Sequence, residues 1–345
     1  MRLLSDETLF RNEDVFDFSY IPDQFNYRDS QLKALAYCLK PAMRGAKPLN
    51  ALLIGPPATG KTTAVKLMFN QFEEESDKAV LVHVNCQIHS SQFRVFSEIH
   101  RKIIGHLPPE TGVPLSGIYD KIFPKLKKVL IVALDDINYL QESDKILYDL
   151  LRAHESYPGI KVGVIAISQK DETHKLSDRV RSVFQPELVR FEPYKKTEIA
   201  GILRHRAEAG LYNNVVSLRL IDKIAELASE NNDLRFGIAL LKKAVMNAEL
   251  DGSRVVKKAH IEKAISSVIP EQNKKLEDNE KLIMDLTKKD ITSGELYKLF
   301  SKKTSASYSS FYRLLEKMEK AGLIKTVEKI ATKGGKTRII SKVKE

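Results

Sequence analysis

The sequence has 345 residues, of which 43% are hydrophobic and 29% charged, and a chain of this length fits two or three globular domains. Its longest apolar run of interest, residues 129–134, is far shorter than the ~20 residues of a membrane helix, and the polar N terminus lacks a signal-peptide core, so membrane insertion and export are not expected. The net charge of +11, of which residues 276–345 carry +6, is compatible with a polyanionic partner.

Four short, continuous apolar runs stand out in the first half of the chain. They are separated by stretches with helical periodicity, as buried parallel strands are. Right-handed crossovers place the carboxyl ends of such strands on one edge, where the ligands of open sheets bind. The sequence therefore predicts an α/β domain over residues 1–194, with strands at residues 51–54, 79–84, 129–134 and 162–167.

A phosphate-binding motif follows the first predicted strand. Residues 55–62, GPPATGKT, match the pattern G-x-x-x-x-G-K-[ST] and precede a helical stretch, which is the context that this loop requires. Gly55 and Gly60 allow the backbone to curl around phosphate oxygens. The expected cofactor is ATP or ADP with Mg²⁺. We expect Lys61 to reach the β-phosphate and, in ATP, the γ-phosphate, and Thr62 to bind Mg²⁺. A chance glycine-rich turn is the alternative. The predicted nucleotide-binding residues of this loop are Gly55, Pro56, Pro57, Ala58, Thr59, Gly60, Lys61, Thr62 and Thr63.

Two acidic residues follow the third predicted strand. Asp135 fits the magnesium-side role, directly or through a bound water, and forms the predicted metal site with Thr62. Asp136 would then orient or activate the attacking water, at a position where the longer Glu is common in such ATPases. The shorter side chain predicts slow hydrolysis and leaves open whether the chain is an effective ATPase. The alternative is that both carboxylates cap the next helix, since Asp is a favourable N-cap residue.

From about Lys195 the strand signals stop and four amphipathic stretches predict a small all-α domain over residues 195–270. A polar, charge-rich stretch leads to a third unit, residues 276–345. There, helices are predicted near residues 278–288, 293–303 and 307–321, followed by two strand-like runs around the turn TKGG. Three helices and a hairpin predict a winged helix.

The last predicted helix has the layout of a DNA-recognition helix. Tyr308, Phe311, Leu315 and Met318 recur at helical spacing and are predicted to lie in the domain core. The opposite side offers small hydroxyls and basic side chains that could approach bases and phosphates, and the turn adds further basic residues. The predicted DNA-binding residues are Ser307, Ser309, Ser310, Arg313, Lys317, Lys333, Lys336 and Arg338. A protein-contact role is the alternative, because winged helices also bind proteins.

The chain has two cysteines, Cys38 and Cys86, which lie in apolar patterns without a second Cys or a His at metal-ligand spacing. This pattern predicts two reduced thiols in the core of a cytoplasmic protein.

Together, these motifs resemble the AAA+ ATPases, and more narrowly the archaeal origin-recognition initiator family, which is related to the eukaryotic origin recognition complex and its licensing loader. The likeness covers nearly the whole chain. Residues 20–35, YIPDQFNYRDSQLKAL, resemble the N-terminal signature of the family, which borders the adenine. The resemblance implies that Tyr20, Ile21 and Arg28 contribute to nucleotide binding, and that residues 195–270 form the helical lid of the AAA+ fold.

Residues 167–194 resemble the part of the family that runs from the sensor strand through the arginine-finger helix to an F-x-P-Y boundary. Gln169 stands where an Asn usually senses the γ-phosphate. Arg179 and Arg181 lie where the family presents an arginine to the nucleotide of a neighbouring subunit, and the sequence does not choose between them; solvated arginines on an exposed helix are the alternative. Arg235, in NDLRFGIALLKKA, matches the sensor arginine of the lid, which pairs with the phosphates.

Residues 90–126 form a longer insertion than a simple crossover between strands requires. In this respect the chain resembles the family, whose members carry an extra helical element at this place that touches DNA. The resemblance implies that Arg94, Arg101 and Lys102 lie near phosphates. A buried helix face with a solvated basic side explains the pattern equally well.

The resemblance implies an ATP-regulated initiator that binds duplex DNA at a replication origin, associates with the nucleoid and helps to recruit or load the replicative helicase, with a second initiator copy or a paralogue as a further partner. No membrane partner is expected. Two other functions share these modules. One is a winged-helix P-loop ATPase that regulates transcription or signalling, and the other is a clamp-loader-like AAA+ ATPase.

Overall fold

The computed structural model describes residues 8–109, 111–268, 278–287, 291–304, 307–320, 324–330 and 336–342. The chain divides into two units, Met1–Val268 and Ile269–Glu345.

A five-stranded parallel sheet forms the centre of the first unit. Its strands are β1 (Ala51–Ile54), β2 (Ala79–Asn85), β3 (Val129–Asp135), β4 (Val162–Ser168) and β5 (Glu187–Arg190), in the order β2-β3-β4-β1-β5. The predicted four strands and the α/β class are confirmed. Strand β5 is an edge strand that the sequence did not predict, because only Val189 of its four residues is buried and no apolar run marks it.

Helices cover both faces of this sheet because successive residues of its strands point to opposite sides. In β1, Leu52 and Ile54 join the core on one face and Ala51 and Leu53 the core on the other. The central strands β3 and β4 are buried along their whole length, as their continuous apolar runs predict. The covering helices are α1 (Asp29–Leu39), α2 (Lys61–Glu75), α3 (Gln92–Ile104), α4 (Leu115–Ile122), α5 (Ser143–Leu151), α6 (Ala153–Ser156) and α7 (Asp178–Phe184).

The insertion between β2 and β3 is built around α3 and α4. Helix α3 begins after Ser91, whose side chain accepts a hydrogen bond from the N–H of Arg94, and it buries Val95, Phe96 and Ile99 at helical spacing. The basic side chains of this helix already have protein partners: Arg101 pairs with Glu98, Lys102 pairs with Glu73 (3.2 Å), and Arg94 donates to the carbonyl of Ile88 (3.3 Å). The buried face and the solvated basic side are both present, and contact of this helix with DNA stays a prediction.

Four helices follow the sheet, as predicted: α8 (Lys196–Gly210), α9 (Leu218–Glu230), α10 (Leu234–Leu250) and α11 (Lys258–Val268). Residues 8–20, which we call the N-terminal segment, pack on them rather than on the sheet. Phe10 forms an isolated bridge with Leu211, and the N–H of Leu9 donates to Glu249 Oε1 (2.7 Å). Phe10, Val15 and Phe16 belong to the core of the helical domain. The N-terminal segment and the helical domain therefore form one packed body.

The second unit contains α12 (Asp278–Leu286), β6 (Ile291–Thr292), α13 (Ser293–Ser301), α14 (Tyr308–Lys320), β7 (Ile324–Ile330) and β8 (Lys336–Lys342), with an antiparallel sheet in the order β6-β8-β7. Phe311, Leu315 and Met318 lie in its core, as predicted. The prediction for Tyr308 is wrong, because this residue begins α14, touches Tyr297 edge-on (ring centroids 4.8 Å apart) and stays 49% exposed.

Both cysteines are free and fully buried, so the prediction of two core thiols is confirmed. Burial, with a smaller contribution from Glu187, raises the pKa of Cys38 to about 11. Within the described part of the chain, no helix is long and apolar enough to cross a membrane.

Candidate nucleotide-binding site

The loop between β1 and α2 needs its two glycines. Gly55 has φ +153°, and a Cβ added there would lie 2.1 Å from the carbonyl oxygen of Phe191. Gly60 has φ +92°, and a Cβ there would lie 2.8 Å from the hydroxyl of Tyr194. Any side chain at either position would therefore displace backbone or buried aromatic groups as well as strain φ.

Lys61 is buried at the start of α2. Its Nζ donates to the carbonyl oxygens of Gly55 (2.6 Å) and Pro56 (2.7 Å). Burial lowers the pKa of Lys61, and the carboxylates of Asp136 and Asp135 oppose this change. The loop therefore holds a desolvated cation, which is the condition under which an ammonium interacts most strongly with an anion.

Asp135 and Thr62, the predicted metal ligands, are hydrogen-bonded to each other. Thr62 Oγ1 donates to Asp135 Oδ2 over 2.8 Å, and His83 Nε2 lies 3.1 Å from the same oxygen. Burial would raise the pKa of Asp135, but the hydrogen bonds from His83 and Thr62 and the nearby charges outweigh it, so the net shift is downward. The carboxylate at the end of β3 is therefore ionised. His83 was not predicted, although a polar residue within an apolar strand run is a usable signal.

Asp136 has a left-handed backbone conformation, φ +56° and ψ +51°, which Asp tolerates better than most residues. Gln87 Nε2 donates to its Oδ2 over 2.8 Å. The side chain of Asp136 makes no capping hydrogen bond to the following short helix, and Asp135 is bonded to Thr62 and His83. The alternative that these carboxylates serve as helix caps is therefore wrong.

A cavity of about 450 Å³ lies between the phosphate-binding loop, the helical domain and residues 18–26, which cross from one to the other. The sequence-predicted residues that line it are Tyr20, Ile21, Pro57, Ala58, Thr59, Gly60, Lys61, Thr62, Thr63, Asp135, Asp136, Gln169 and Arg235. Gly55 and Pro56 do not line the cavity, and their carbonyls instead hold Lys61. The volume and the mixture of apolar and charged walls fit a nucleotide-sized ligand.

Arg28 corrects one prediction. It does not line the cavity but lies behind the loop, 4% exposed, where its Nε donates to the carbonyl of Thr59 (3.1 Å). The sequence signature that contains it is therefore split, because Tyr20 and Ile21 face the cavity and Arg28 supports the loop from the protein side.

The two candidate arginine fingers lie on α7, away from the cavity. Ser177 caps this helix, and Asp144 accepts hydrogen bonds from the N–H and Oγ of Ser177 (2.7 and 2.8 Å). Arg181 pairs with Asp178, whereas the exposed Arg179 forms no ion pair with any residue that the structure describes. Neither arginine reaches the nucleotide site of its own chain.

Several cavity residues were not predicted. Phe18 and Asn26 come from the crossing segment, His205 and Arg206 from α8, and Gln87 from the loop after β2. Arg206 donates a hydrogen bond to the carbonyl of Val15. Its guanidinium carbon lies 4.8 Å from the centroid of the Tyr20 ring. The rule that ligands bind beyond strand carboxyl ends could have found Gln87, but no local pattern marks His205 or Arg206.

In the second unit, the candidate DNA-binding serines lie together at the start of α14. Ser307 Oγ is 3.0 Å from Ser309 Oγ and 2.9 Å from Ser310 Oγ, and all three residues are exposed. Arg313 is exposed on the same helix, and the Arg338 guanidinium lies over the Tyr312 ring (5.1 Å). Lys333 and the side chains of Lys317 and Lys336 lie outside the described part of the structure.

Comparison with known proteins agrees with this architecture. A family model described as an AAA ATPase domain matches residues 24–165, and one described as a Cdc6 AAA+ ATPase-type lid domain matches residues 200–266. The ORC1-type DNA replication protein 2 of Methanothermobacter thermautotrophicus is 43% identical, over 98% of this chain and 93% of its own length. The protein of the same name from Methanosarcina acetivorans is 40% identical, over 98% and 94%.

Among solved structures, the Aeropyrum pernix ORC1 protein in complex with DNA superposes with a TM-score of 0.76 at 24% identity, over 98% of this chain and 94% of that chain. The Cdc6p protein of Pyrobaculum aerophilum has a TM-score of 0.69 at 22% identity, over 97% and 94%. At these identities the likeness concerns the fold.

Proposed function

The chain belongs to the family of ORC1-type DNA replication proteins, and from that premise we propose that it is an ATP-dependent replication initiator that binds duplex DNA at an origin and helps to recruit the replicative helicase. The observation that carries the proposal is the cavity between the phosphate-binding loop and the helical lid, because a nucleotide bound there would touch both bodies. Its binding free energy could then bias the lid orientation.

The residues at the cavity fit ATP or ADP with Mg²⁺. Thr62 and Asp135 offer a hydroxyl and an ionised carboxylate oxygen, 2.8 Å apart, and oxygen donors are the ligands that Mg²⁺ prefers. Bound Mg²⁺ would neutralise part of the phosphate charge. Lys61 would exchange its loop carbonyls for phosphate oxygens, and Arg235, at the start of α10, would approach the phosphates from the lid.

Arg179 and Arg181 remain candidates for a contribution to the nucleotide site of a second subunit, which their distance from their own cavity supports. Arg179 is the better placed of the two, because both are exposed but Arg181 is already paired with Asp178. The second copy or a paralogue would supply the nucleotide.

For the unit from residue 276 onward we propose a winged-helix fold that binds DNA through the start of α14. The order of helices and the antiparallel sheet β6-β8-β7 support this assignment. The exposed hydroxyls of Ser307, Ser309 and Ser310 could approach the duplex closely, and Arg313 lies one turn further along the same helix. We propose three domains, residues 1–194, 195–270 and 276–345, with residues 8–20 of the first packed on the second.

Slow hydrolysis is expected from Asp136. Its carboxylate is short and is already bonded to Gln87, so it is poorly placed to activate water. We expect turnover below about 1 per second, against ~10 per second for a typical enzyme. Asp136→Glu is expected to raise turnover by about tenfold, since general-base catalysis contributes ~10²–10⁴ when the base is well placed. Multiple-turnover assays of phosphate release measure this.

The matched control is Asp77→Glu. Asp77 is exposed just before the N-terminal end of β2, away from the carboxyl ends of the strands, so this substitution should leave turnover unchanged. Wild-type turnover well above one per second that Asp136→Asn abolishes would contradict the slow switch and favour the clamp-loader-like function.

Sequencing the genomic DNA that copurifies with the protein tests the initiator function. We expect enrichment of one or a few loci that coincide with the start sites of replication, because origin binding is a specific event on a long chromosome. Enrichment at promoters of genes unrelated to replication would instead support transcriptional regulation, and the absence of enrichment would contradict both functions.

A further inference from the structure

One buried side chain connects the phosphate-binding loop to the segment that leads into the lid. Arg28 directly precedes α1, and its guanidinium donates to three backbone carbonyls: Thr59 (3.1 Å), Tyr27 (3.3 Å) and Glu192 (2.6 Å). Thr59 belongs to the phosphate-binding loop, and Glu192 belongs to the connection between β5 and α8. Arg28 therefore joins the phosphate-binding loop to the segment that leads into the lid, two segments that are far apart in sequence.

The surroundings of Arg28 are unusual for a charged group. Within the part of the chain that the structure describes, no carboxylate lies within 4 Å of its guanidinium, although the residue is only 4% exposed. The charge is instead balanced by the carbonyl dipoles and by two aromatic rings, since the guanidinium carbon lies 3.8 Å from the Tyr194 centroid and 5.7 Å from that of Phe191. A buried cation without a counter-ion is costly, so a role beyond packing is expected of it.

The two rings belong to different cores. Phe191 packs in the core of the sheet domain, and Tyr194 packs in the core of the lid. The Tyr194 hydroxyl also lies beside Gly60, and the hydroxyl of Tyr27, the residue before Arg28, rests against Gly201 of α8. Movement of the lid relative to the sheet would therefore alter the stack on Arg28.

The hydrogen bond to Thr59 also fixes the loop itself. In a trans peptide the C=O and the next N–H point in opposite directions. A Thr59 carbonyl held toward Arg28 thus turns the N–H of Gly60 away from Arg28, as amides that bind phosphate from a loop must be turned.

We propose that Arg28 is a positioning residue that sets the conformation of the phosphate-binding loop and couples it to the angle of the lid. This proposal rests on the proposed nucleotide binding at the same cavity. It assigns Arg28 no contact with the nucleotide. The carbonyl of Thr59 in the loop and the carbonyl of Glu192 in the connection to the lid accept hydrogen bonds from the same guanidinium. A shift of either carbonyl is therefore transmitted to the other.

The test compares Arg28→Gln and Arg28→Lys with the matched control Arg190→Gln, an exposed arginine at the end of β5. Affinities for ADP and ATP are measured by titration well below each unfolding midpoint. We expect Arg28→Gln to weaken both affinities by about tenfold, because one amide cannot replace the three bonds. Arg28→Lys keeps the charge and most of the volume but not the planar fork, so it should fold and still weaken binding severalfold.

A double-mutant cycle with Arg235→Ala tests the coupling to the lid. If Arg28 acts through the lid angle, its substitution should reduce the effect of Arg235→Ala on ATP affinity at least threefold, whereas independent sites give additive effects. Additive effects would overturn the coupling to the lid. Unchanged nucleotide affinity in Arg28→Lys, with or without a lower unfolding midpoint, would reduce Arg28 to a structural residue. If wild-type protein and Arg190→Gln fail to bind nucleotide at all, the proposed function itself fails.

Discussion

Replacing Lys61 by methionine is expected to weaken ATP affinity by about 100-fold. The ammonium is the charged donor of the phosphate-binding loop, and a hydrogen bond to a charged group contributes ~1.5–3 kcal/mol. Methionine preserves most of the side-chain volume, so the loss would come from the charge. Titration of the purified variant with a fluorescent ATP analogue measures the change in affinity.

Thermal unfolding distinguishes this loss from misfolding. Without nucleotide, Lys61→Met removes a charge that burial disfavours but also leaves the carbonyls of Gly55 and Pro56 without their donor. These effects oppose each other, so the midpoint should move by no more than about 2–4 °C. With saturating ATP the wild type should be stabilised by ~2.7 kcal/mol at 100 times its Kd, and the variant hardly at all.

The control is Lys47→Met, an exposed lysine near the opposite end of β1, which should bind ATP like the wild type. An ATP affinity of Lys61→Met within threefold of the wild type would contradict the assignment of the loop.

Binding of the full chain to duplex DNA is expected to weaken steeply as salt increases. A protein that neutralises ~6–10 phosphates loses about 10³–10⁵ in affinity between 50 and 200 mM salt, because counterions are released on binding. The excess of basic residues in residues 276–345 predicts that this unit supplies many of the contacts. Arg313→Gln should weaken binding at every sequence and lower the salt slope by ~1. Fluorescence anisotropy over a range of salt concentrations measures both quantities.

Arg254→Gln serves as the control, because Arg254 is an exposed residue of the lid that the proposed interface does not use. An affinity that does not respond to salt would argue against phosphate contacts altogether. If Arg313→Gln has the same DNA affinity and the same salt dependence as the wild type, Arg313 does not contact phosphate, which would favour a protein-contact role for α14.

The central strands and the phosphate-binding loop could be predicted from the sequence because each is fixed by a local rule. Strand β3 is buried on both faces, so the six residues 129–134 that precede Asp135 form a continuous apolar run. The loop has to adopt positive φ angles at Gly55 and Gly60 and to end in Lys61, and few other segments satisfy that combination. Strand β5 escaped prediction since an edge strand with one buried residue has no such signal.

The sequence by itself determined that Lys61, Thr62, Asp135 and Asp136, for which we propose phosphate and metal chemistry, follow the carboxyl ends of buried strands. Only the tertiary structure decided the walls of the cavity and the place of Arg28. Its partners Thr59 and Glu192 lie 31 and 164 residues away in the chain. Periodicity in a sequence reports whether a side chain is buried, but the partner of a buried charge is set by the packing of distant segments.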